Sequence, residues 1–266
     1  MIVNQDMFSL EGKTALITGA TGYLGEFMSF ALAGLGAHIL VNGRNGNYVN
    51  KLVEKLVDNA YHATSLVFDV CDEKSVSQGL SVFKDSPIHI IVNNAYSGTQ
   101  GSQEYTSSDD YLKSYSSSVV ASQFIFNCCL NSLRLAVNET GDASVINIAS
   151  MYGMVSPDLR VYGSATLANP PQYGAAKAGL IQLTKYLAVQ YGPEKIRVNC
   201  LSPGPFPNPI NKVNSADFID RLAYKVPLGR VGFPNEIQGP LAFLASPAAS
   251  FVNGANLVVD GGWTAC

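Results

Sequence analysis

Charge is scarce in this sequence. Only 14% of its 266 residues are charged, and the formal net charge is −3. This excludes the basic surface that nucleic-acid-binding proteins present. Apolar residues make up 47% of the chain, which excludes the intrinsically disordered class. We therefore expect a globular protein that has no nucleic-acid partner.

Cysteine and histidine are also sparse. The spacing of the cysteines fits neither a disulfide framework nor a metal site, and we expect no metal and free thiols in a reduced, cytoplasmic protein. The sequence has no recognisable signal peptide. No uncharged apolar run reaches membrane-spanning length, so no membrane association is expected. The cysteines are Cys71, Cys128, Cys129, Cys200 and Cys266.

A tyrosine and a lysine four residues apart, Tyr173 and Lys177, begin an apolar-periodic segment that stops at Gly192-Pro193. This spacing predicts a helix with both side chains on one face. A free tyrosine has a pKa of about 10, and lowering it by roughly three units requires about 4 kcal/mol of differential stabilisation. Lys177 and a second nearby cation could supply it. The alternative is an exposed pair on a solvated face, and only the surrounding sequence can decide.

Glycines lie between the first predicted strand, Thr14–Ile17, and a helical segment. Such a turn lets the backbone approach a pyrophosphate, while the helix N-terminus presents free N–H groups. A simple tight turn is the alternative. We expect the turn to bind a dinucleotide, and its candidate contacts are Gly19, Thr21, Gly22, Tyr23, Leu24 and Gly25.

The second predicted strand, His38–Val41, leads into Asn42-Gly43-Arg44-Asn45. NAD-binding units place an acid here to hold the ribose 2′-hydroxyl, and this sequence has none. A guanidinium can instead bind a 2′-phosphate through two hydrogen bonds. Arg44, with Asn45 beside it, therefore favours NADP(H) over NAD(H). A solvated loop arginine is the alternative.

Strands and helices alternate along the chain, with further strands predicted at 65–70, 88–92, 144–148 and 256–259. This rhythm predicts a single α/β domain over residues 1–266, with a Rossmann-type doubly wound parallel sheet between two helical layers. Ligands bind beyond the carboxyl ends of such strands. We therefore expect coenzyme contacts at the strand exits Asp69-Val70 and Asn94-Ala95, where Asp69 could accept from the adenine amino group. A loop cap is the alternative for Asp69. A polar loop over the site is predicted at 97–110.

With these motifs in place, the chain resembles the short-chain dehydrogenase/reductase family from about Leu10 to Thr264. The resemblance implies an NADP(H)-dependent oxidoreductase that interconverts a secondary alcohol and a ketone, and that self-associates as a dimer or tetramer. It rests on the order of the glycine turn, Asp69-Val70, Asn93-Asn94-Ala95, Ser150, Tyr173 with Lys177, Arg197-Val-Asn199, Pro203-Gly204 and Asp260-Gly-Gly262.

The resemblance also implies roles for matching residues. Tyr173 would be the general acid/base, Lys177 would lower its pKa and hold the nicotinamide ribose, and Ser150 would bind the substrate oxygen. The oxidised nicotinamide would be the second cation. The turn Pro203-Gly204, with Phe206, and the backbone at Ala95 would frame the nicotinamide.

Four features depart from the family pattern. Tyr23 replaces a glycine. The remaining glycines, Gly19, Gly22 and Gly25, have the spacing that is common in the longer, sugar-nucleotide-acting members. Ser118 stands where an asparagine usually holds a water of the proton relay, and Asn208 stands where a threonine is usual. Ser150 and Tyr173 are 23 residues apart, which is more than the family commonly needs.

The extra residues between Ser150 and Tyr173, here called the added segment, form a predicted substrate loop at about 154–172. A second such loop is predicted at about 205–226. Loops on a rigid scaffold commonly carry specificity. The polarity of the first loop favours a polar substrate, such as a sugar derivative, and its sequence looks like that of bacterial members in surface-sugar or flagellin-sugar pathways. A surface excursion without a ligand role is the alternative. Two other functions stay open: a non-catalytic NADP-binding sensor or assembly partner, and a sugar-nucleotide epimerase or dehydratase.

Overall fold

Parallel strands form the centre of the computed structural model, which describes residues 5–98, 104, 106–163, 167–210 and 215–266. Seven strands of this described part pair in the order β3-β2-β1-β4-β5-β6-β7, and every pairing is parallel. This is the predicted doubly wound sheet of a single α/β domain. The strands are β1 Thr14–Ile17, β2 His38–Gly43, β3 Ala63–Val67, β4 Ile90–Asn93, β5 Ala143–Ile148, β6 Ile196–Pro203 and β7 Asn256–Val259.

Helices cover both faces of the sheet. Because successive strand residues point to opposite faces, Ile17 packs in a core with α1, α2 and α9, whereas Leu16 packs in a second core with α3, α5 and α7. A π-helical turn, Ser116–Val120, joins α4 to α5. The helices are α1 Tyr23–Ala33, α2 Gly46–Asp58, α3 Glu73–Leu80, α4 Ser108–Tyr115, α5 Ala121–Thr140, α6 Leu159–Tyr162, α7 Pro171–Tyr191, α8 Ala216–Lys225 and α9 Gln238–Ala245.

One strand was not predicted. All eight residues of β6 are buried, but Arg197 and Asn199 interrupt the apolar run that would have indicated a buried strand. Both have polar partners. The Arg197 guanidinium donates to Asp142 (3.0 Å) and to the Leu244 carbonyl (3.0 Å), and the Asn199 side chain bonds the loop before β7. Polar partners therefore explain how charge and amide groups sit within a buried strand.

Three segments predicted as loops contain helices. Helix α4 begins within 97–110 because Ser107 and Asp110 form a capping box. Asp158 caps α6 within 154–172, and Ser215 caps α8 within 205–226. Other parts of these segments, residues 99–103, 105, 164–166 and 211–214, lie outside the described residues.

The helical run Ser108–Thr140 is long and apolar enough to cross a membrane by length and composition alone. Half of its most apolar window is buried inside the fold, where Ile125, Phe126 and Leu133 pack against the sheet. Its apolarity is therefore that of a core helix. The five cysteines are free thiols, as predicted.

Candidate active site and coenzyme cleft

Helix α7 brings Tyr173 and Lys177 together, one turn apart, as the sequence predicts. The helix ends at Tyr191 with Gly192 as its C-cap. The Tyr173 hydroxyl is hydrogen-bonded to Ser150, which follows β5 and whose Oγ also accepts from the Tyr152 N–H (3.1 Å). Lys177 is buried, and its Nζ donates to the carbonyl of Ile148 at the end of β5 (2.7 Å). The strand end and the helix start thus bring together three of the four predicted catalytic residues, Ser118 being the fourth.

Two glycines let Ser150 reach α7. A Cβ on Gly153 would lie 2.9 Å from the Lys177 carbonyl carbon, and one on Gly174 would lie 2.7 Å from the backbone carbonyl oxygen of Tyr152. Side chains at either position would push the turn after β5 away from the helix. The sequence gives no local signal for this close approach, because it depends on a contact between segments about twenty residues apart.

Burial dominates the titration of the pair. It raises the pKa of Tyr173 to about 12, although the hydrogen bond with Ser150 acts in the opposite direction. Burial also lowers the pKa of Lys177 to about 8. Lys177 is not among the groups that shift the Tyr173 pKa, so the expected lowering by Lys177 is not found, and the protein's own groups favour the protonated phenol at neutral pH. A phenolate requires a further cation.

Ser118 lies at the centre of the π-helical turn, where its Oγ is buried without a hydrogen-bond partner among the described residues. The side-chain oxygen of Asn93, at the end of β4, is in the same condition. The Ser118 carbonyl accepts from Ser122 Oγ (2.6 Å). Such π-turns occur frequently at functional sites, and unsatisfied buried polar groups are uncommon in native proteins.

A cleft of about 350 Å³ opens at the carboxyl ends of β1, β2 and β4. It is continuous with the glycine turn, as expected for a doubly wound sheet. Several residues predicted to contact the coenzyme do not line it: Asn45, Lys177, Pro203, Gly204 and Phe206. Those that do are Gly19, Thr21, Gly22, Tyr23, Leu24, Gly25, Arg44, Asp69, Val70, Asn94 and Ala95.

The glycine turn fits a dinucleotide. Gly19 has φ +59°, and a Cβ there would lie 2.9 Å from Ala95 Cα. Gly22 caps α1 without a side-chain hydrogen bond, so the first N–H groups of the helix remain available to a phosphate. Thr18 and Asn94 lock the turn to the exit of β4. The Thr18 Oγ1 accepts from the backbone N–H of Asn94 (3.0 Å), and the Asn94 amide donates to the Gly19 carbonyl (3.0 Å).

Arg44 projects from the end of β2 into the cleft, where its Nη1 lies 4.0 Å from Asp69 Oδ2. The neighbouring Asn42 is buried and donates to the carbonyls of Leu66 (3.0 Å) and Phe68 (3.2 Å), an anchoring role that its sequence position did not reveal. Asn45 has a different contact from the one predicted: its side chain caps α2 by accepting from the Asn47 N–H (3.0 Å).

A second cavity, of about 300 Å³, adjoins Ser150 and Tyr173. The added segment forms one of its walls through Tyr162 and Asn169. The Tyr162 hydroxyl is 2.6 Å from that of Tyr152 and accepts from Asn169 Nδ2 (3.2 Å). No charged side chain is among the described residues that line this cavity.

The turn after β6 contributes to the second cavity rather than to the cleft. Gly204 and Phe206, predicted to frame the nicotinamide, line the cavity beside Tyr173. Pro203 ends β6 and lines neither space. A Cβ on Gly204 would lie 2.5 Å from Asp260 Cα, so this glycine allows the turn to pack against the chain after β7.

The two spaces meet at a pair of tyrosines. Tyr96 lines the cleft and Tyr173 lines the cavity, and their ring centroids are 5.0 Å apart. Residues that line the cleft and residues that line the cavity are therefore in contact at Tyr173. Tyr96 had no role in the sequence prediction.

Comparisons with known proteins place this geometry in a family. The profile described as Enoyl-(Acyl carrier protein) reductase matches residues 19–264. The gluconate 5-dehydrogenase of Gluconobacter oxydans is 32% identical, over 97% of each chain. Two solved structures are also similar. A gluconate 5-dehydrogenase from Burkholderia cenocepacia in complex with NADP and tartrate has 30% identity, 98% coverage of each chain and a TM-score of 0.87. A putative 2-deoxy-d-gluconate 3-dehydrogenase from Agrobacterium tumefaciens with bound NADP has 29% identity, coverage of 98% and 99%, and a TM-score of 0.83.

Proposed function

The chain belongs to the short-chain dehydrogenase/reductase family, and on that premise we propose that it is an NADP(H)-dependent oxidoreductase that interconverts a secondary alcohol and a ketone on a small, polar, sugar-like substrate. One observation carries the proposal: Ser150, Tyr173 and Lys177 lie together at the end of β5 and the start of α7, beside a small cavity and next to the residues that line the cleft at the glycine turn. Two similar proteins were crystallised with NADP.

The coenzyme fits the residues of the cleft. Gly19 and Gly22 would let the pyrophosphate approach the N-terminus of α1, and Arg44 would hold the 2′-phosphate. When bound, the nicotinamide supplies or accepts hydride and, in its oxidised form, brings a positive charge. That charge is the further cation needed to lower the Tyr173 pKa from about 12.

The chain's own groups would move the proton. In the reduction, the Tyr173 hydroxyl would donate to the substrate oxygen, and in the oxidation its phenolate would accept the proton. Ser150 would hold the same oxygen by a hydrogen bond. Lys177, held by the Ile148 carbonyl, would stabilise the phenolate electrostatically.

Ser118 would take part in replenishing the proton. The buried, unpartnered hydroxyl of Ser118 could bind an internal water, and so could the side-chain amide oxygen of Asn93. The relay would then run through a serine in place of the usual asparagine. Replacing Ser118 by alanine should slow the reaction without weakening coenzyme binding, as measured by steady-state kinetics and calorimetry.

The cavity favours a hydroxylated substrate of sugar size. Its volume of about 300 Å³ is at the small end of ligand pockets. Asn169 and Tyr162 offer amide and hydroxyl groups in the cavity that Ser150 also lines, where substrate hydroxyls could bind. The gluconate dehydrogenases among the similar proteins make sugars and sugar acids the first compounds to test.

Self-association is also part of the proposal. Apolar side chains stand exposed on two helices, with Leu112 and Tyr115 on α4 and Tyr186 and Val189 on α7. Exposed apolar surfaces of this kind commonly mark interfaces. Light scattering coupled to size-exclusion chromatography should find a dimer or tetramer, and a monomer would refute this part.

An absorbance screen at the reduced-nicotinamide band tests the function. Polyols, sugars and aldonates would be offered with NADP⁺, and the matching ketones with NADPH. We expect turnover with at least one polyhydroxylated compound and none with long acyl chains. Tight NADP binding without turnover across the whole panel would instead favour a non-catalytic nucleotide-binding protein.

A further inference from the structure

Tyr96 touches both members of the proposed catalytic pair. Its ring meets that of Tyr173 edge-on, with an interplanar angle of 76°. The Lys177 ammonium lies over the Tyr96 ring, 5.2 Å from its centroid, which is within the range of cation–π attraction. The chemistry proposed above assigns no task to this residue.

The hydroxyl of Tyr96 is anchored by a hydrogen bond in which it is the donor. Ser114 is fully buried on α4, and its Oγ donates its single proton to the carbonyl of Gln172 (3.1 Å). The Tyr96 hydroxyl, 3.0 Å from Ser114 Oγ, must therefore be the donor in that contact. Since Gln172 immediately precedes Tyr173, Tyr96 is fixed both to the helix start and to the catalytic ring.

Lys177 has few groups to stabilise its charge. Among the described residues, the titratable groups that face it are Tyr96 after β4, Tyr173 on its own helix and the Cys200 thiol of β6. Its hydrogen-bond acceptor is the uncharged Ile148 carbonyl. The negative faces of the two tyrosine rings therefore supply attraction that an exposed lysine obtains from water or a carboxylate.

We propose that Tyr96 is a positioning residue for the reaction: its ring keeps Lys177 cationic in a buried site and holds the Tyr173 ring at the boundary between cleft and cavity. This inference rests on the proposed function, because Tyr96 acts only through Tyr173 and Lys177. The residue would link the coenzyme side of the site, which it lines, to the proton donor.

Titration of Lys177 tests the contact without any substrate. Lysine labelled with ¹³C at Cε would be followed by NMR against pH, with the Lys177 signal assigned from Lys177→Arg. Tyr96→Leu should lower the Lys177 pKa by about 0.5 to 1 unit, the size of a partly desolvated cation–π interaction. Tyr96→Phe, which keeps the ring, should leave it near the wild-type value.

A matched control removes an aromatic edge contact elsewhere. Tyr61 meets Phe30 at 6.2 Å and 76°, and Tyr61→Leu should leave the Lys177 titration unchanged. Tyr96→Met fills the space with a flexible side chain that has no aromatic face. It repeats the test if thermal unfolding shows that Tyr96→Leu does not fold.

Kinetics give the second readout. Tyr96→Leu should lower kcat about three- to tenfold near neutral pH and move the acid limb of its pH profile upward by the same 0.5 to 1 unit, with substrate KM little changed. An unshifted Lys177 pKa in the non-aromatic variants, or a kcat loss with no movement of the pH profile, overturns the proposal. Absence of wild-type turnover together with a Lys177 pKa that depends on the Tyr96 ring would refute the proposed reaction while supporting the contact.

Discussion

Removing the Arg44 side chain should convert a coenzyme preference into near indifference. Arg44 lies in the cleft at the end of β2, and residues 42–45 include no acid to hold a ribose 2′-hydroxyl. Its only ion pair within the described residues is with Asp69, at 4.0 Å, with the arginine side chain 65% exposed. An exposed pair of this length contributes little, so the guanidinium is available to a phosphate.

The magnitude follows from that geometry. Charge-assisted hydrogen bonds contribute about 1.5–3 kcal/mol, which corresponds to a loss of roughly 10- to 150-fold in NADP⁺ affinity for Arg44→Ala. NAD⁺ has no 2′-phosphate, so its affinity should change by less than about threefold, under 1 kcal/mol. Isothermal titration calorimetry with both nucleotides measures the two changes separately.

Lys55→Ala is a matched control for loss of a cation. Lys55 lies on α2, and its Nζ pairs with Glu26 at 2.8 Å, but it does not line the cleft. It should change neither affinity appreciably. Equal weakening of NADP⁺ and NAD⁺ by Arg44→Ala, or no weakening at all, would refute the assignment of Arg44 to the 2′-phosphate.

Three further predictions concern the reaction site. Gly153→Ala should lower the free energy of unfolding by about 1–3 kcal/mol through overpacking and reduce kcat. Gly46→Ala is the control, because its new Cβ would meet Val67 at an ordinary 3.7 Å. It should change neither the stability in thermal unfolding nor kcat in kinetic assays. Alcohol oxidation should accelerate with rising pH as Tyr173 ionises, and ketone reduction should slow. A pH profile with the opposite signs would exclude Tyr173 as the proton carrier. Asn169→Ala should raise substrate KM several-fold at nearly constant kcat, and an unchanged KM for every substrate would remove the added segment from recognition.

Much of the sheet is predictable because its strands are apolar runs with turn signals at their ends. Strands Thr14–Ile17 and Asn256–Val259 have the predicted bounds. Strand β6 escapes prediction because its polar residues find partners outside the strand. The helices within the predicted loops are not predicted from the sequence because those segments are polar, and because helix α6 is only four residues long.

The site divides along a similar line. Tyr173 and Lys177 are predictable because helical spacing alone puts them on one face. Asn45 is ambiguous in sequence, since an asparagine after a strand suits either a ligand or a helix cap, and the structure gives it the cap. Tyr96 and Gly153 depend on contacts between distant segments, for which a single sequence has no periodicity to read.

The proton-carrying role of Tyr173 is tested most directly by Tyr173→Phe, which removes one oxygen and keeps the ring contact with Tyr96. Hydride transfer, followed as absorbance of reduced nicotinamide with an accepted substrate, should fall by at least about a thousandfold, in the range of a lost general acid/base. NADP⁺ affinity by calorimetry should stay within about threefold. Hydride transfer at the wild-type rate in this variant would contradict the mechanism.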